Sequence, residues 1–448
     1  MRNSFRWLEF VLLYSILTAV HSLTRNCSTS YNVYMAEIRE SPVDAIIDIA
    51  LESGVMILQN GGETYRTEET MISVASSLGA VSSSAFVTPT VAMLTCQDKE
   101  GRSHTRLERI SNRTINLGII ARVNELSRRL VGRGKASNLK QVASLLKRIR
   151  TSPRHGPFGV ILATAVASFS FSLLFQGSLP EALAAFAVGA CLRMALYSVS
   201  RFGLSSFITS VVGGGIISLL TGLLMLFGII GSSGNVSISV LMSLVPGVAI
   251  VNAIRDIISG DLVAGSARLM EAFVIAAALS IGAAFGLILF PVESSYSTAI
   301  LTWNSYLPAF ALAFTATASF AYFYYINRYD IFWASLFGGT GWLVYLAAGQ
   351  GLASPVAGYF AGALWVGACS ELFAVILKKP ATVYIIPGII PFVPGGGLYE
   401  TMLYAVHGNM DAASVTGFRA LSAAAAIAVG IAIASSLSRL LGRLRQGV

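Results

Sequence analysis

The most specific chemistry in this chain lies in its last quarter, where Pro394 precedes Gly395, Gly396 and Gly397 and Glu400 follows one turn later. Pro387 and Pro391 stand just upstream. Prolines remove backbone donors, and a glycine run permits an unwound stretch, so a helix broken here exposes free N–H groups and a helix N-terminus suited to a carboxylate. Glu400 would then meet a substrate ammonium or carry a coupled proton, because an ionisable group at membrane depth is a functional candidate. Helix capping by an acid in the first turn is the plainer use of the same residue.

Four other positions join this set. A shift of 148 residues carries Glu400 onto Asn252, so that the two would stand opposite each other. Arg255 and Asp256 follow on the same segment as a candidate gate or substrate clamp, although charges near an inner loop also snorkel or pair at the interface. Glu371, between Ser370 and Leu372, is a second proton-relay candidate. Glu271 and Arg419 obey the same shift and read as interfacial anchors. Nearer the N-terminus, Asn60, Gly61 and Gly62 form a turn, Glu63, Arg66 and Glu69 recur on one helix face, and Thr64, Thr88 and Thr90 add hydroxyls. Together these offer donors for a small anion in a soluble-domain site, beside the simpler reading of solvated helix charge.

The elements that must position these residues follow from composition. The 448 residues are 54% hydrophobic and only 12% charged, with 42 glycines and a mean hydropathy of +0.69. This is a polytopic α-helical membrane protein with a soluble piece attached. About ten apolar stretches long enough to span begin near 158, 181, 205, 236, 268, 304, 330, 353, 381 and 413, five in each half. Cations occupy every second connection: Arg201, then Arg255 and Arg268, Arg328, Lys378 and Lys379, and Arg439, Arg443 and Arg445. The intervening loops near Gly177, Gly234, Glu293, Gly349 and Gly408 carry none, which assigns them to the outside and both chain ends to the cytoplasm.

Gly203-Leu204-Ser205-Ser206 returns as Gly351-Leu352-Ala353-Ser354, and Pro246-Gly247 returns as Pro394-Gly395, each 148 residues later. Ala167-Ser168-Phe169 and Ala318-Ser319-Phe320 lie 151 apart. A repeat of five spans, an odd number, enters the membrane from the opposite face, giving two inverted five-helix repeats. The expected domains are an extension over 1–41, a small N-terminal α+β cytoplasmic domain over 42–155, and membrane repeats over 156–292 and 293–448.

In the soluble domain, helices are expected at 43–59, 63–78, 118–131 and 137–150, with Glu63 near the N-terminal dipole of the second. Strands at 85–88, 91–95 and 104–110 lie around turns at Thr88-Pro89-Thr90 and Asp98-Lys99-Glu100-Gly101. Thirteen cations lie between Arg102 and Arg150, which keeps the domain in the cytoplasm, and its basic last helix is expected to run on toward the first span. Arg2, Arg6 and the apolar run Trp7 to Val20 resemble a secretory signal, but export would conflict with those cations, so an uncleaved leader, a peripheral helix or an over-long start fits better.

Residues 54, 60–70 and 86–90, with Asn60-Gly61-Gly62-Glu63-Thr64-Tyr65-Arg66-Thr67-Glu68-Glu69-Thr70 at their centre, resemble the signature of the threonine/serine exporter family. Pro387-Gly388-Ile389-Ile390-Pro391 and Val393-Pro394-Gly395-Gly396-Gly397-Leu398-Tyr399-Glu400 resemble its partner domain. The resemblance covers roughly 42 to 435 and corresponds to the fused form. It implies proton-driven efflux of threonine and serine; split members imply export of dicarboxylates such as succinate. A hydrolase-like role for the soluble domain rests on the resemblance alone, for no nucleophile elbow or catalytic triad pattern is visible. No metal-ligand spacing appears and no cofactor is expected, and the lack of a Gly-Lys-Ser/Thr phosphate loop excludes primary active transport. The first expectation is therefore a transporter rather than an enzyme, with a small-molecule substrate, protons and the lipid bilayer as partners and no nucleic acid. A homo-oligomer and a passive channel stay open.

Overall fold

The computed structural model describes residues 42–111, 113–133, 138–152, 155–231, 233–289 and 306–446. The expectations for the extension 1–41 and the loop at Glu293 lie outside the described residues.

Helix α1 (Pro42–Gln59) packs on α2 (Thr64–Leu78) closely enough that a Cβ at Gly54 would lie 2.1 Å from Met71 Sδ. Asn60 and Gly61 end α1: the Asn60 amide donates to Met56 O at 2.7 Å, and Gly61 takes φ 93°, open to glycine at little cost. Strands β1 (Ser82–Thr88), β2 (Val91–Gln97) and β3 (Ser103–Arg109) form an antiparallel sheet in that order, with Thr88 opposite Val91 across the first hairpin. Ala92, Leu94 and Cys96 alternate inward from β2 onto the core that α1 and α2 share with α3 (Leu117–Arg133) and α4 (Leu139–Arg150). One expectation fails here. The basic helix α4 stops at Arg150 with Thr151 as its cap, Ser152 and Gly156 are not helical, and the next helix starts afresh at Pro157. Pro157 sits at a first-turn position, where its missing N–H costs nothing.

The remainder is helical: α5 (Pro157–Leu174), α6 (Leu179–Val199), α7 (Ser206–Leu226), α8 (Ser233–Leu241), α9 (Gly247–Ile258) and α10 (Leu262–Leu289), then α11 (Tyr306–Phe323), α12 (Arg328–Gly351), α13 (Pro355–Leu377), α14 (Thr382–Ile389), α15 (Gly395–Val406) and α16 (Met410–Gln446). Among the described residues eight continuous helices are long and apolar enough to cross a membrane, and a ninth crossing counts α14 and α15 together, which meet at a bend of 52°. The stretch at 236–258, expected as a span interrupted by its proline and glycine, consists of two short helices, α8 and α9, with turns between them.

The helix starts keep a constant offset: 306 − 157 = 328 − 179 = 355 − 206 = 382 − 233 = 149, and after the breaks 395 − 247 = 410 − 262 = 148. Ser168 therefore corresponds to Thr317, not to the Ser319 that the Ala-Ser-Phe match picked out. Packing agrees, since a Cβ at Gly189 would meet Ser168 Oγ at 2.6 Å and one at Gly338 would meet Thr317 Oγ1 at 2.3 Å. The equivalent rings Phe171 and Phe320 touch edge to face, 6.0 Å between centroids.

Candidate functional site

Two helix breaks cross inside the bundle. Pro246 (φ −79°, ψ 38°) precedes α9 and Pro394 (φ −76°, ψ 45°) precedes α15, so both half-helices start in the same way. Their breaks pack reciprocally: a Cβ at Gly247 would fall 2.0 Å from Val393 Cγ1, and one at Gly395 would fall 2.8 Å from Val245 Cγ1. Each glycine makes room for the valine before the other's break, the mutual contact that a two-fold relation produces. In α15 the first-turn N–H groups of Gly396 and Gly397 have no backbone partner, as at any helix start.

Asn252 and Glu400 each stand five residues past their break glycine. Asn252 is buried, and Glu400 is half-buried with no hydrogen bond or ion pair to a described residue. The two half-helices diverge: α9 runs toward the soluble domain, whereas the Tyr399 carbonyl of α15 accepts from Ser280, far along α10, at 3.2 Å.

At the soluble-domain end of α9 the structure brings together residues that the sequence left apart. Arg255 is buried and paired with the equally buried Glu63 carboxylate. Its Nη2 also reaches the Tyr65 hydroxyl at 3.4 Å and Ser435 Oγ at 3.3 Å. Ser435 in turn donates to Glu371 at 2.6 Å. Arg268 donates from Nη2 to Gly62 O at 2.8 Å, and its Nε lies 3.2 Å from Asp256 Oδ2 without hydrogen-bond alignment, a charge contact only. Thr64 donates to Asp261 at 2.9 Å and lies 3.3 Å from Asp256. At the rim, Arg113 pairs with Glu271 at 2.8 Å.

Several expectations change accordingly. Arg255 and Asp256 do not pair with each other; each answers a residue of the soluble domain. Glu63 is the α2 N-cap but makes no side-chain capping bond, because its carboxylate is turned to Arg255. The Asn60-Gly61-Gly62 turn offers its carbonyl to Arg268 instead of donors to an anion. Thr88 and Thr90 close the β1–β2 hairpin, and no hydrogen bond joins them to Thr64, which the membrane-half aspartates take. Tyr65, Asp261 and Ser435 were not singled out by sequence reasoning; Arg268 was read only as an orientation charge. The one usable signal was their lying near the ends of apolar runs, which says nothing about partners nearly 200 residues away.

Burial alone would raise the Glu63 carboxyl, but Arg255 foremost, then Arg66, Tyr65 and Arg268, outweigh it and hold it below the ordinary carboxylate value. Burial, with Glu63 adding to it, pushes the Tyr65 hydroxyl up. A carboxyl that titrates lower when docked stabilises docking fully above its ordinary value, about pH 4.3, and the contribution disappears as pH falls through the lower docked value. The stability difference between wild type and Glu63→Gln, followed by thermal unfolding in detergent, is therefore expected to stay level from about pH 8 to about pH 5 and to shrink only below. A difference that already fades near neutrality would contradict the assignment.

A multi-span helical bundle whose two broken helices cross at their breaks, with a soluble domain docked over one end, defines a membrane transporter. Its family is shown by comparison. A family model described as "Putative threonine/serine exporter" matches residues 48–290, and a second, described as "Threonine/Serine exporter, ThrE", matches 309–437. The chain belongs to the threonine/serine exporter family. It is 23% identical over 422 residues to the threonine/serine exporter of Corynebacterium glutamicum, covering 90% of this chain and 84% of that protein. It is 22% identical over 410 residues to a protein named "Probable threonine/serine exporter" from Mycobacterium tuberculosis (strain ATCC 25618 / H37Rv), covering 88% and 76%. No solved structure matches. Membership makes the chain a transporter and not an anchored hydrolase.

Proposed function

We propose that this protein exports small hydroxylated amino acids, threonine or serine, in exchange for protons. The membrane half acts as ten crossings in two inverted repeats, 156–292 and 293–448, with the 42–155 domain and both termini cytoplasmic. The observation that carries the reading is the reciprocal packing of Val245-Pro246-Gly247 and Val393-Pro394-Gly395. Two half-helices related in this way meet at mid-membrane, where transporters hold substrate at their repeat interface. The free N–H groups of Gly396 and Gly397 suit the carboxylate, and Asn252 and Glu400 flank it from the inner and outer sides. Glu400, without a partner among the described residues, carries the proton. Glu371, bonded through Ser435 to Arg255, belongs to an inner gate that the soluble domain closes over Arg255 and Asp256.

The test loads purified protein into liposomes and follows labelled threonine, serine and succinate under an imposed pH gradient. Flux of the two amino acids is expected, with its gradient dependence lost in Glu400→Gln. Flux of succinate alone would transfer the reading to dicarboxylates, and no flux from folded protein would reject transport of all three.

A further inference from the structure

The soluble domain presents to the end of α9 the polar groups of a hydroxylated amino acid. The Glu63 carboxylate lies on the Arg255 guanidinium. The next residue, Thr64, donates its hydroxyl hydrogen to Asp261 at 2.9 Å, with Asp256 3.3 Å away. A carboxylate and a hydroxyl side by side are two of the three polar groups of threonine or serine. The third, an ammonium, also has a place: Asp256 is 1% exposed and its Oδ2 accepts no hydrogen bond, since its contact with Arg268 lacks alignment. A buried carboxylate oxygen without a donor is costly, and an ammonium brings three donors.

Two further observations set this contact apart from a permanent seam. Among the described residues six buried side-chain polar atoms lack a hydrogen bond, and three of them, Glu63 Oε2, Asp256 Oδ2 and Arg268 Nε, are here. A surface that only holds two parts together satisfies such atoms. The place related by the repeat carries no charge: at the 148-residue offset Arg255, Asp256, Asp261 and Arg268 become Leu403, Tyr404, Asn409 and Thr416. The charges therefore belong to the soluble-domain end alone and not to a path that both halves share. Without Glu63, the formal charges of the two arginines and two aspartates cancel, which suits a zwitterion. A dicarboxylate would bring two negative charges that nothing buried there answers.

We propose that Arg255, Asp256 and Asp261 form a receiving site for a hydroxylated amino acid, and that Glu63 and Thr64 occupy it as an internal substitute which arriving substrate displaces. The substrate carboxylate takes the place of Glu63 on Arg255, its hydroxyl the place of Thr64 on Asp261, and its ammonium the unbonded oxygen of Asp256. This role rests on the exporter reading and adds to it the means by which substrate releases the inner gate: the soluble domain stays docked while its own Glu63 and Thr64 fill the site, and undocks when substrate competes for it. Arg255 and Asp256 are neighbours on α9 and the arginine side chain is long, so a ligand smaller than the Glu63-Thr64 pair reaches both.

Hydrogen–deuterium exchange of residues 60–70 in the purified full-length chain in detergent reports docking, with threonine flux in liposomes measured alongside. Titrating threonine into wild type is expected to raise exchange there. Threoninol, which lacks the carboxylate, and 2-aminobutyrate, which lacks the hydroxyl, should need roughly 10- to 100-fold higher concentrations for the same rise. This titration needs no variant, so it decides the matter even where a variant does not fold. Glu63→Gln should bind labelled threonine roughly 10-fold more tightly than wild type, because nothing then competes for Arg255, and adding Arg255→Gln should remove that gain. Flux without any rise in exchange, threonine that lowers exchange, or a gain that survives Arg255→Gln would overturn the substitution and leave the exporter reading standing. Release by succinate in preference to threonine, or neither release nor flux, would overturn both.

Discussion

Glu63→Gln is expected to destabilise the docked protein by about 3–5 kcal/mol, because it leaves the Arg255 guanidinium buried without its counter-charge. Both partners are buried, and the second Glu63 oxygen has no donor of its own, so water does not screen the loss. The net worth of the pair is smaller than that figure, since desolvation of two ions offsets most of their attraction. Two consequences separate the cases. The double variant Glu63→Gln/Arg255→Gln should recover most of the stability, which a mere loss of packing would not allow. The exposed pair Arg129–Glu125, 68% and 57% exposed, should contribute only about 0.3–0.5 kcal/mol in the same cycle. Thermal unfolding of the full-length chain in detergent measures all of these variants. A single-variant cost no larger than that of the exposed pair would show that the soluble domain is not held through Arg255.

What could be read beforehand and what could not divide along the range of the interactions. The α1 and α2 helices, the hairpin at Thr88-Pro89-Thr90 and the turn at Asp98 are local: period-3.6 and period-2 patterns end at glycine, proline or a short polar cluster, and all of that is visible within a few residues. The breaks at Pro246 and Pro394 were legible for the same reason. The continuity of α4 into the first span was misjudged because a basic amphipathic run looks alike whether it stops at Arg150 or continues; Gly156-Pro157 was the local sign. The offset of 149 needed three dimensions, since small residues recur often enough in apolar helices for a match at 151 to arise by coincidence.

The docking network was not legible at all. Arg255 and Arg268 stand near loops, where orientation already accounts for a cation, and nothing within the sequence distinguishes an arginine that faces water from one that holds a glutamate 192 residues away. The resemblance supplied the class of function, but the motif residues Glu63 and Thr64 acquire a physical role only once α9 is seen beneath them.

Gly247→Ala is expected to cost about 1–3 kcal/mol as an overpacked contact and to lower threonine flux in liposomes more than tenfold, since its Cβ would fall 2.0 Å from Val393 Cγ1. The obstruction is a side-chain methyl, so Val393→Ala in the same chain should restore flux. The reciprocal pair makes the argument stricter. Gly395→Ala meets Val245 Cγ1 at 2.8 Å and should be relieved by Val245→Ala but not by Val393→Ala. Gly282→Ala is the control, because its Cβ would meet the backbone oxygen of Val211 at 1.9 Å and no trimmed side chain can make room. If both cross-rescues work and the control stays inactive, each break is shaped by the valine of the other, as a site shared by two halves requires. If neither rescue works while the variants remain folded, the breaks do not meet at a functional crossing, and the case for a substrate site between Asn252 and Glu400 goes with it.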